Sequence, residues 1–149
     1  MSGNTAEAKL GPRLRRAREV AAKLAAESDA LNNLLKVVEQ ALRDLNLGIA
    51  AYAELDPADD DREGKDYGVF FLKDVTLGWA LQIEAPNTSG VSTYTSIHSV
   101  ARDLRVRAAK ALPTLVDNLL AAAEVRLNEV SAATACVSEV VEDLGEAKS

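Results

Sequence analysis

Residues 67–84 read YGVFFLKDVTLGWALQIE, and this stretch decides the fold class. Leu77, Trp79, Leu81 and Ile83 alternate with Gly78, Ala80, Gln82 and Glu84. Side chains of a strand point to opposite faces in turn, so one face here is apolar. Tyr67–Leu72 forms a second β-rich run, and a short turn around Lys73 and Asp74 joins the two. The spacing predicts strands over 67–72 and 77–84. Upstream, Leu47, Ile49, Ala51, Ala53 and Leu55 alternate with Gly48, Ala50, Tyr52 and Glu54, which predicts a third strand over 47–55. The economical arrangement is a three-stranded antiparallel meander with one buried face. Three strands need a helix to cover them.

On both sides of this region the apolar period changes from two to about three and a half. Before it, Leu14, Ala17, Ala21, Leu24, Ser28, Leu31, Leu35, Val38, Leu42 and Leu45 fall at alternating spacings of three and four, a heptad seam. Pro12 is suited to the first turn of a helix, and Asn46 and Gly48 to its end. A helix is expected over 12–46, about 50 Å long at the helical rise, with residues 1–10 frayed. After the strands, Pro86–Thr95 reads as a loop, and Ser96 is placed to cap a helix. Ile97, Val100, Ala101, Leu104, Ala108 and Ala111 give a first stripe, which Pro113 is expected to kink or break. Leu115, Leu119, Ala123, Leu127, Val130, Thr134, Val137, Val141 and Leu144 continue it. The expected fold is α+β in a single domain, 1–149. A long N-terminal helix precedes the meander, and Pro-kinked helical segments over 96–144 pack antiparallel on that helix.

Composition narrows the chemistry. The 149 residues include 26 alanines and only 4% aromatics, so the core must be built from Leu, Val and Ala. A formal charge of −6 argues against a protein whose main task is coating nucleic acid or an anionic membrane. A single cysteine cannot form an internal disulfide, the N-terminal residues carry no apolar signal core, and no apolar run approaches a membrane span. Together these place the chain in the cytoplasm, with no membrane association. No Gly-rich phosphate loop, His-Glu zinc motif or Cys pair is present, so no cofactor is expected and the chain reads as non-catalytic.

Three groups of residues remain as candidate sites. Asp59, Asp61, Glu63 and Gly64 imitate the first half of a calcium loop, but the position of the bidentate Glu is taken by Phe70. A solvated loop is the better reading. His98, near the expected helix start, has no nucleophile arranged around it, and Cys136 lies beside an apolar stripe, as a small packing residue would. Arg13, Arg15, Arg16 and Arg18 spread around the first helix, as Arg102, Arg105, Arg107 and Lys110 do in the later one. Such residues can contact phosphates, though no aromatics are interleaved for stacking on bases.

The two long seams expose more apolar surface than a small sheet can cover. Self-association is therefore the first functional expectation, through Leu24, Leu31, Leu35, Val38 and Leu42 and through Leu119, Leu127, Val130 and Val137. The chain then acts as a homodimeric or higher interaction or scaffold protein. An acidic chaperone-like protein is the alternative, holding another polypeptide on a sheet patch around Phe70, Leu72 and Trp79. A regulator that grips nucleic acid with its basic helix ends is the third reading.

Overall fold

The computed structural model describes residues 3–56, 67–85 and 92–148. Its elements run α1 (Gly3–Asp44), β1 (Ala51–Glu54), β2 (Gly68–Asp74), β3 (Gly78–Ala85), β4 (Thr93–Ser96) and α2 (Arg102–Lys148). The class is α+β, with an antiparallel sheet in the order β1-β2-β3-β4. The chain divides into two units, Met1–Leu42 and Arg43–Ser149.

The first unit is almost entirely α1. The helix begins earlier than the seam predicts and runs through Pro12. Leu35, Glu39 and Leu42 are buried, Leu31 and Val38 half-buried, and Leu10, Leu14, Val20 and Leu24 exposed. The helix stops where the sequence places its end signals. The Asn46 N–H donates to the Arg43 carbonyl at 3.0 Å, and Asn46 and Gly48 take φ values of 50° and 66°. Such left-handed backbone ends a helix and cannot continue as a strand. That is why the expected strand over 47–55 shrinks to Ala51–Glu54.

In the second unit, β2 and β3 form a hairpin whose register pairs Phe71 with Leu81 and Val69 with Ile83. Its turn is held by Asp74, whose Oδ1 accepts the Thr76 N–H at 2.7 Å and the Leu77 N–H at 3.3 Å. Gly78 follows at φ 73°, a conformation a side chain would strain. Ala51 and Ala53 of β1 lie beside Phe71 and Val69. These six residues make the buried inner face. Helix α2 packs on β1 and β2, and its Ala108, Leu112, Leu115 and Leu119 are buried.

Two expectations are corrected. The sheet has four strands, because residues 93–96 pair with β3 from Ala85 to Gln82 rather than forming loop and helix start. Ser96 therefore caps a turn: its Oγ accepts the His98 N–H at 3.3 Å, and its carbonyl accepts the Ser99 N–H at 2.9 Å. Buried Ile97 sits in this turn, its N–H donating to the Leu81 carbonyl at 3.0 Å. Second, α2 is one helix through Pro113. Pro113 is exposed, so water can satisfy the carbonyl that its missing N–H leaves without a partner.

Replacing Leu115, which is fully buried, by Ala should cost about 2–5 kcal/mol through lost transfer energy and the cavity left behind. Val75→Ala, in the fully exposed turn, should stay within about 0.5 kcal/mol. Urea unfolding of the two variants checks both values.

Candidate functional site

Two surfaces of the second unit stand out once the core is assigned. The first is the far part of α2. Beyond Leu119 the helix continues to Lys148, roughly 43 Å at the helical rise. Leu127, Val130, Val137, Val141 and Leu144 lie along it, with exposures between 54% and 64%. With Thr134 they keep heptad spacing and so share one face. The Thr134 hydroxyl donates to the Val130 carbonyl at 2.8 Å, so its polarity is met within the helix. A shallow groove lined by Val130, Ala133, Thr134, Val137, Ser138 and Val141 follows this face.

Of the seam predicted from sequence, Leu127, Val130 and Val137 are on this open face, whereas Leu119 is buried. On α1, Leu24 is exposed, Leu31 and Val38 are half-buried, and Leu35 and Leu42 are buried. Cys136 is an exposed free thiol on α2 and not a packed one.

The second surface is the outer face of the sheet. Tyr52 of β1, Phe70 of β2 and Tyr94 of β4 stand there. The Tyr52 and Phe70 rings lie 4.6 Å apart at 35°, and Tyr94 meets Phe70 edge-on at 5.4 Å. Both geometries suit the ring quadrupoles. Gly68 is small for a reason: a Cβ on it would come within 2.5 Å of Tyr52 Cε2, so the Tyr52 ring lies over the glycine. Leu72 belongs to this face as well. Trp79 does not, because register places it opposite Lys73. Its ring stacks at 5.4 Å on Phe71, whose side chain is buried in the inner face. Phe70, Leu72 and Trp79 therefore do not form one patch. The pleat puts Trp79 on the other side from the first two.

Several polar residues have local roles. Arg107 donates Nε and Nη2 to the Asp56 carbonyl at 3.1 and 2.8 Å, and its guanidinium sits 5.4 Å from the Tyr67 ring centroid. Arg105 donates Nη2 to the Val100 carbonyl at 2.8 Å, and so holds the turn before α2. Asn118 donates to the Tyr52 carbonyl at 2.7 Å, occupying the edge of β1. Arg13, Arg15, Arg16 and Arg18 are exposed along α1, with Arg16 bridged to Glu19 at 3.3 Å. His98 lies in the turn between β4 and α2, not in a helix. Asp59, Asp61 and Glu63 lie outside the described residues. Among the described residues, no three His, Cys, Asp or Glu side chains gather as metal ligands. No described helix is long and apolar enough to cross a membrane.

No protein-family model, curated protein or solved structure matches the chain.

The aromatic surface generates a direct test of its packing. Gly68→Ala should destabilise by about 1–3 kcal/mol because the Tyr52 ring must move. In a Gly68→Ala/Tyr52→Ala background most of that cost should vanish, which a double-mutant cycle on urea unfolding measures. Additive losses would mean that the ring is not what the new methyl meets.

Proposed function

We propose that the chain is a non-catalytic interaction or scaffold protein that works as a helix-mediated homo-oligomer. The observation that supports this reading is the open heptad face of α2, Leu127, Val130, Val137, Val141 and Leu144. Fully burying a Leu or Val is worth about 1.5–3 kcal/mol, and each of these is already about half-covered. One such face buried against another then yields on the order of 10 kcal/mol from both partners together. Association costs about 4–15 kcal/mol in lost freedom, so this face alone gives a marginal complex. A stable assembly also draws on Leu10, Leu14, Val20 and Leu24, which are exposed on α1.

Charge selects the pairing. The start of α1 carries Arg13, Arg15, Arg16 and Arg18, and the end of α2 carries Glu139, Glu142, Asp143 and Glu146. Two α2 ends side by side in parallel repel, whereas an α1 start from one copy set antiparallel against an α2 end from another is complementary. Exposed pairs contribute about 0–1 kcal/mol each, enough to choose orientation but not to hold the assembly alone.

Light scattering behind size exclusion, over a concentration series, should give a multiple of the 15.9 kDa chain mass. Leu127→Asp/Val137→Asp should return it to a single chain that keeps the near-ultraviolet circular dichroism of the Trp79–Phe71 contact, with helical signal lost only from the unpacked end of α2. Leu35 is unsuitable for this test, because a buried Asp there would unfold the protein rather than dissociate it. A wild-type mass of one chain at every concentration overturns the reading.

A further inference from the structure

The aromatic outer face of the sheet is also its acidic face. Register puts Glu54, Gly68, Glu84 and Tyr94 in one cross-strand row. The adjacent row holds Tyr52, Phe70, Gln82 and Ser96. Gly68 contributes no side chain to the first row, and the Tyr52 ring leans over it. Two carboxylates one strand away on either side, roughly 10 Å apart at the strand spacing, thus flank an aromatic ring. Phe70 carries the ring system on to Tyr94. Tyr52 and Tyr94 are 39% and 46% exposed, so the ridge is open to a ligand. The third acidic residue of this face, Asp74, is engaged in its own turn. No Lys or Arg occurs among the described strand residues on this face. Lys73 belongs to the inner one.

We infer that this face binds a cationic polypeptide segment, with an arginine or lysine head laid on the Tyr52–Phe70–Tyr94 ridge between Glu54 and Glu84. The charge and the rings call for the same occupant. Aromatic faces attract cations by about 0.5–1 kcal/mol at exposed sites, and flanking carboxylates supply the charge-assisted hydrogen bonds that a guanidinium makes in a plane. An anionic or purely apolar partner would have to desolvate two carboxylates without compensation. The surface is separate from the heptad face of α2 and does not depend on the oligomer.

The test is a fluorescence-anisotropy titration of the full chain with a labelled glycine–arginine hexapeptide at low ionic strength, beside the same peptide carrying citrulline in place of arginine. The arginine peptide should bind and the citrulline peptide should not. Glu54→Gln/Glu84→Gln should weaken binding about tenfold, and Tyr94→Leu, which keeps apolar area but removes the ring, about threefold. Glu124→Gln/Glu129→Gln removes the same charge from exposed positions of α2 and should leave the affinity unchanged. No binding, equal binding of the citrulline peptide, or an equal loss in the α2 variant overturns the assignment. Should Tyr94→Leu fail to fold by circular dichroism, the two glutamine pairs decide it by themselves.

Discussion

Ala108, Leu112, Leu115 and Leu119 of α2 are buried where the helix packs on β1 and β2, whose Ala51, Ala53, Val69 and Phe71 belong to the inner face of the sheet. With 4% aromatics there is little bulk to spread a core over a larger span, so helix and strand must approach closely. Alanine permits this: Ala51, Ala53 and Ala108 are all buried. Larger side chains at these positions would push α2 away and open voids beside its leucines. Three side chain–carbonyl bonds then fix the helix, from Arg105 to Val100, Arg107 to Asp56 and Asn118 to Tyr52. The acceptors lie in the turn before α2, just past the end of β1 and on β1 itself. The basic residues of early α2 are thereby committed to architecture, which removes two of the groups that a phosphate contact would need.

The hairpin, the change of period and the heptad seam were legible because each is a repeated local pattern. Strand β4 was not. Thr93-Tyr94-Thr95-Ser96 has no apolar alternation, since its side chains are largely exposed and only backbone pairing to β3 makes it a strand. Proline misled twice for one physical reason. Pro12 and Pro113 are both exposed, and a carbonyl facing water survives the loss of its helical donor. The break rule holds best where the freed carbonyl would be buried.

The outer face of the sheet was half legible. Phe70 and Leu72 were marked by type, and the alternation over 47–55 already put Tyr52 and Glu54 on the side away from Ala51 and Ala53. What no local pattern supplies is register. Tyr52, Phe70 and Tyr94 are far apart in the chain and meet only because Ala51 pairs with Phe71 and Glu84 with Tyr94. A shift of one residue would send each ring to the opposite face. Trp79 shows the same rule from the other side: close to Leu72 in sequence, it belongs to the inner face.

The far end of α2 makes the opposite demand. Most helical stability in proteins comes from packing an apolar face rather than from propensity. Between Leu119 and Lys148 that packing is missing within the second unit, and the segment is exposed at Leu127, Val130, Val137, Val141 and Leu144. Val125, Val130, Val137, Val140 and Val141 are β-branched, and Gly145 adds further backbone freedom; both residue types are weaker helix formers than alanine or leucine. A helix selected to stand alone in water would replace these valines with alanine, glutamate or lysine. Valine at heptad spacing costs helix propensity and gains only when another surface buries it. On the proposed reading, a second apolar helix face supplies that surface.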